Sequence, residues 1–168
     1  TIIEKISKVP ILDVSENDAQ KFLELEKHLS NHVVGQLDAI QKVSDCIRRS
    51  KAGLNSPDQP IGTFLFMGPT GVGKTELVKS LALEMFGHKD SIIRLDMSEF
   101  MEQHSVSKII GAPAGYVGYN EGGDLIDKES NKPYSIILLD EIEKAHNSVL
   151  NIFLQMMDEG RLTDSKGK

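Results

Sequence analysis

Eight consecutive residues, GPTGVGKT at 68–75, restrict this chain more than anything else in it. They fit the phosphate-binding pattern G-x-x-x-x-G-K-[ST] at every fixed place, through Gly68, Gly73, Lys74 and Thr75. Glycines let the backbone take positive φ and approach a phosphate without a Cβ in the way. Loop N–H groups and the start of the next helix then face the anion, where the helix dipole favours negative charge. Lys74 supplies a compact cation for the β- and γ-phosphates, and the Thr75 hydroxyl suits Mg²⁺. The expected nucleotide-binding set is Gly68, Pro69, Thr70, Gly71, Val72, Gly73, Lys74, Thr75 and Glu76.

The flanks have the order that such a loop requires. Residues 61–67 (IGTFLFM) read as a buried parallel strand. Residues 74–86 place Leu77, Val78, Leu81, Ala82 and Met85 on one helical stripe, with Gly87 at the C-terminal cap. Strand, glycine loop and helix predict an α/β fold with a parallel sheet flanked by helices. Loop and flanks together imply a nucleoside triphosphate site with Mg²⁺.

A second half-site is expected at 135–141, SIILLDE. Ile136–Leu139 form a buried central strand in this reading, and Asp140 and Glu141 stand at its C-terminal end, where open parallel sheets bind ligands. Asp140 is placed to hold Mg²⁺ and Glu141 to act as general base on the attacking water. Hydrolysis is therefore expected, with cradle and acidic pair meeting at one triphosphate.

The rest of the chain supplies the scaffold. A helix is predicted from Ser15 through about His28, with Ala19, Phe22, Leu25 and Leu29 inward. HVVGQ (32–36) breaks it, and a second helix runs from Leu37 to Ala52 on the stripe Leu37, Ile40, Val43 and Ile47. Residues 54–60 form a turn-rich connector. After the loop's helix come a short strand at 91–95, turn and cap chemistry at Asp96 and Ser98, and a short helix at 106–110. Residues 111–123 are dense in glycine and carry Tyr116 and Tyr119.

Composition excludes some functions. A net charge of −6 over 168 residues disfavours a nucleic-acid partner. The basic cluster Arg48, Arg49 and Lys51 reads as a helix end. No apolar run approaches the roughly 20 residues that span a bilayer, so no membrane partner is expected. The single cysteine, Cys46, fits a reducing compartment. His28 and His32 lack a third ligand at zinc spacing. The chain begins without Met, so a piece of a longer protein is expected, in the cytoplasm or, given an upstream targeting segment, an organelle matrix or plastid stroma.

Several long motifs in fixed order carry a family resemblance: GPTGVGKTEL (68–77), RLDMSEFME (94–102), GAPAGYVGYNEGG (111–123), LLDEIEKAH (138–146) and DEGRLTDSKGK (158–168). Together they closely resemble the C-terminal AAA+ module of Clp-type unfoldases and disaggregases, from about residue 28 to the end. The resemblance implies a P-loop AAA+ large subdomain at 31–168, preceded by an N-terminal extension and helix at 1–30. It further implies ATP or ADP as the cofactor, and homo-hexameric rings that hydrolyse ATP at subunit boundaries and thread unfolded or tagged polypeptide, with a peptidase ring as a candidate partner. By resemblance, Tyr116 and Val117 are the substrate-gripping tip of a pore loop, residues 160–168 begin a second, and Val33 and Val34 pack against adenine.

Departures from the family pattern are Pro113-Ala114 in place of Pro-Pro and the polar run DKESNK at 127–132. In the family's sheet order 5-1-4-3-2, this chain holds strands 1, 2 and 3 and stops before strand 4, leaving an AAA+ fold incomplete at the C-terminus. Little ATPase activity is expected of residues 1–168 alone. The competing reading is a nucleic-acid-remodelling or clamp-loader-type ATPase. Residues 111–125 contain no Lys or Arg to track phosphates, which favours a polypeptide pore.

Overall fold

The computed structural model describes residues 16–54, 59–69, 71–111, 123–132, 134–160 and 162, which divide into two compact units. The first takes in residues up to 55 together with 61–91. The second takes in 56–60 and 92–168.

In the first unit the N-terminal amphipathic stretch forms two consecutive helices, α1 (Glu16–Leu23) and α2 (Leu25–His32), rather than the single helix expected. The break is slight. Glu24 turns out of helical geometry, yet its N–H still reaches Gln20 O at 3.0 Å and its carbonyl accepts from His28 N. Leu25 and Leu29 are buried as predicted. α3 (Leu37–Lys51) buries Ile40, Val43 and Ile47. Leu37, assigned inward by periodicity, is instead exposed, while Ile40, Val43 and Ile47 of the same stripe are buried. The basic end of α3 is consumed locally. Arg48 pairs with Asp45 at 2.6 Å and Glu26 at 3.4 Å, and Lys51 Nζ sits 5.2 Å from the Phe22 ring centroid.

α4 (Lys74–Phe86) follows the prediction to the residue, with Leu77, Val78, Leu81 and Ala82 buried and Met85 half-buried. Gly87 ends it at φ +80°, with its N–H on Leu83 O at 2.8 Å. α2 packs on α4, and His28 Nδ1 lies 3.1 Å from Glu84 Oε2 across that contact.

Residues 61–67 depart from expectation: they form no strand. Alternation persists, with Phe64 and Phe66 half-buried and stacked at 6.2 Å while Leu65 and Met67 face water. A strand is defined by a ladder of hydrogen bonds to a neighbouring strand, and the sheet found among the described residues pairs β1 (Ile92–Asp96) with β2 (Ile136–Asp140) only. Side-chain docking holds it instead; a Cβ on Gly62 would lie 3.0 Å from Cys46 Sγ on α3.

The second unit is built on these two parallel strands, in the register Ile92↔Ile136 through Asp96↔Asp140. The long crossover between them carries α5 (Val106–Ile110) and α6 (Asp124–Asn131), and α7 (Asn147–Glu159) follows β2. Ile93, Leu95, Met97, Phe100, Ile109, Leu125, Val149 and Phe153 make the core. β2 is half-buried along its length, not the fully buried central strand expected, because β1 is its sole strand neighbour among the described residues. The adjacency of β1 and β2 agrees with the sheet order that the family resemblance implied.

Candidate functional site

In the first unit the glycine loop meets α4 with Gly73 as N-cap at φ +96° and Gly71 at φ +86°. Both lie where side chains are strained, so glycine is required by the backbone. The cap position has no side chain to accept from the first-turn N–H groups, which leaves those donors for an anion. Lys74 folds back over the loop and donates from Nζ to Gly68 O at 2.7 Å and Pro69 O at 2.8 Å. Among the described residues its charge is thus held at the loop by two neutral carbonyl acceptors. Thr75 and Glu76 are exposed in the first turn, and Val72 and Gly73 are half-buried.

The helical lead-in reaches this loop. A Cβ built on Gly73 would sit 3.6 Å from Val33 Cγ1, and Gln36 Nε2 donates to Val72 O at 3.3 Å. Val33 follows α2 in extended conformation and is 4% exposed, whereas Val34 is 90% exposed. The two valines therefore differ: Val33 is buried beside the loop, and Val34 faces solvent.

In the second unit, carboxylates gather at the C-terminal ends of both strands. Asp96 accepts from Ser98 N at 3.0 Å and Ser98 Oγ at 2.6 Å, capping the 3₁₀ turn Met97–Phe100. Those bonds, with the Lys144 and Arg94 charges behind them, hold its carboxyl below the usual carboxylate range. Asp140, opposite Asp96 in the register, is paired through Oδ2 with Arg94 Nη2 at 2.5 Å. Glu141 takes left-handed φ +54°, the one non-glycine residue to do so among the described residues, at a cost of about 1–2 kcal/mol. Its Oε2 accepts from Lys144 Nζ at 2.6 Å, and this bond raises the Lys144 pKa.

Sequence reading found Asp140 and Glu141 and missed their cations. Two signals were present: Arg94 stands two residues before Asp96, on the same strand face, and Lys144 is three residues after Glu141. The donors fit Mg²⁺. A half-buried carboxylate at Asp140 and an exposed hydroxyl at Thr75 each offer hard oxygen of the kind Mg²⁺ takes, with neither thiolate nor imidazole among them. Gly68–Glu76 belong to the first unit and Asp140 and Glu141 to the second. Thr70, Tyr116, Val117 and residues 163–168 lie outside the described residues. Among the described residues no helix is long and apolar enough to cross a membrane.

Comparison with known proteins bears on the same segments. The model of the AAA domain (Cdc48 subfamily) matches residues 59–168. The ClpE ATP-binding subunit of an ATP-dependent Clp protease from Bacillus subtilis is 58% identical over 167 residues, 99% of this chain and 24% of that protein. Chaperone protein ClpB2, chloroplastic, from Oryza sativa subsp. japonica is 54% identical over 167 residues, 99% of this chain and 17% of that protein. A closed-state cryoEM reconstruction of Hsp104 with ATPγS and FITC casein superposes with a TM-score of 0.86 at 48% identity, covering 98% of this chain and 28% of that one. The chain spans about a fifth of the length of the curated relatives it matches. A family match that takes in the glycine loop, both strands and the acidic strand end makes this chain a member of the AAA domain family, Cdc48 subfamily, of the Clp type.

Proposed function

We propose that this chain is the ATP-binding and ATP-hydrolysing core of a Clp-type protein unfoldase or chaperone. In this reading residues 31–168 are the nucleotide module and 1–30 its lead-in. The observation that supports it best is the cradle at Gly73–Lys74, where the N-cap has no side chain to take up a first-turn N–H and Lys74 is bonded to the loop carbonyls of Gly68 and Pro69. Gly68–Glu76 bind the phosphates and Val34 offers an apolar face to adenine, backed by Val33. Thr75 and Asp140 are the metal-side oxygens, and bound Mg²⁺ would neutralise charge on the β- and γ-phosphates. Glu141 accepts the proton of the attacking water once its carboxylate leaves Lys144.

The hydrolysis is coupled to the movement of polypeptide. This coupling draws support from the reconstruction of Hsp104 with casein and from relatives named as chaperones or as protease ATP-binding subunits. The complete protein forms a homo-hexameric ring, Tyr116 and Val117 grip substrate in its pore, and a peptidase ring is a candidate partner. A reducing compartment, cytoplasm or plastid stroma, suits its free Cys46. The absence of Lys and Arg from residues 111–125 favours this over a nucleic-acid motor.

The test uses the full-length protein. Lys74→Ala abolishes nucleotide binding, while Glu141→Gln keeps it and lowers ATP turnover by about 10²–10⁴-fold. Turnover at the parental rate in Glu141→Gln removes that residue from its role.

A further inference from the structure

Arg94 occupies the carboxylate that the proposed function gives to the metal. Its Nη2 lies 2.5 Å from Asp140 Oδ2, reached from β1 across a register that aligns Arg94 with Leu138 and Asp96 with Asp140. Both side chains meet water, at 62% and 37% exposure, so the pair can open without stranding a charge in the core. A guanidinium stays protonated at any working pH, so Asp140 always has a bound competitor for an incoming cation. The same Arg94 charge also acts on Asp96, behind the Ser98 hydrogen bonds and Lys144. Arg94 therefore serves the carboxylates of both strand ends.

The geometry points to Arg94 as a positioning residue that acts through Asp140. It is the resident counter-ion of that carboxylate in the metal-free chain, displaced when Mg²⁺ and nucleotide bind, and it sets the Mg²⁺ concentration at which the site fills. This rests on the reading of Asp140 as a metal-side ligand. The sign follows from Coulomb's law: without Arg94 a divalent cation meets an uncompensated carboxylate, so its affinity rises. A purely structural arginine behaves in the opposite way, since its loss disorders the strand ends and weakens metal binding.

Mg²⁺ is titrated into the full-length protein with a fluorescent ADP analogue, and anisotropy reports binding without turnover. Arg94→Gln lowers the half-saturating Mg²⁺ concentration about two- to fivefold, the range expected for an exposed ion pair. Arg94→Lys retains the parental value, and Arg94→Gln has no further effect in an Asp140→Asn background. A half-saturation that is unchanged or higher in Arg94→Gln overturns the inference, provided Asp140→Asn itself raises the requirement. Should Asp140→Asn leave it at the parental value, the metal-side reading of Asp140 fails first. The ¹⁵Nε resonance of Arg94 in the unmodified protein gives a second readout. It shifts when Mg²⁺ and nucleotide are added together, and a resonance that stays in place also overturns the inference.

Discussion

Lys144 donates to Glu141 at 2.6 Å across a single 3₁₀ turn, so the candidate general base is held by a cation from its own chain. Glu141 in turn keeps the ammonium protonated above the ordinary lysine range, first through the hydrogen bond and then through charge. Because the folded value is raised, any stability from this pair is complete below the unfolded lysine pKa and is lost as pH climbs through the folded one. Glu141→Gln returns the Lys144 titration toward that of a free lysine, followed through its ¹³Cε resonance. An unmoved titration dissociates the two side chains in solution.

Ser98 controls Asp96 through the opposite sign. Ser98 Oγ and N hold the Asp96 carboxyl low, so its contribution is complete above the unfolded carboxylate value and disappears as pH falls through the folded one. Ser98→Ala removes the 2.6 Å bond and leaves the 3.0 Å backbone bond. The Asp96 pKa rises part of the way to the usual range, and its ¹³Cγ shift measures the change. The same midpoint in Ser98→Ala and parent would contradict this account.

The two valines beside the loop separate packing from binding. Val33→Ala removes two methyl groups from a buried site and costs roughly 1.5 kcal/mol in urea unfolding. Val34→Ser leaves stability within about 0.5 kcal/mol, as at other exposed positions, and weakens ADP binding. Loss of stability without loss of affinity in Val34→Ser refutes its role at the base.

Two glycines are fixed by different physics. At Gly87 a Cβ meets open space but φ is +80°, so Gly87→Ala costs about 1–2 kcal/mol of backbone strain. At Gly123, before α6, a Cβ would fall within the radius of the Ile109 carbonyl oxygen, and backbone cannot swing aside. Gly123→Ala is the more damaging of the two in thermal unfolding, and the reverse order would show that the crossover yields more easily than the helix cap.

Local pattern determined much of this protein. The 3.6-residue stripe and the glycine at each end fixed α4 to the residue, and the Asp96–Ser98 cap was legible because its partners are two positions apart. The cradle could be read for the same reason, since its loop and helix start are contiguous. Pairing across the chain could not be read. Whether residues 61–67 become a strand depends on a hydrogen-bonded neighbour, which no run of apolar residues supplies by itself. Leu37 fits the stripe of α3 yet faces water, because burial is decided by what lies opposite. Likewise the Arg94–Asp140 pair joins residues 46 apart and exists only because β1 and β2 lie in parallel register. Sequence specifies the groups within one turn of each other; tertiary structure decides which charges, separated along the chain, share a site.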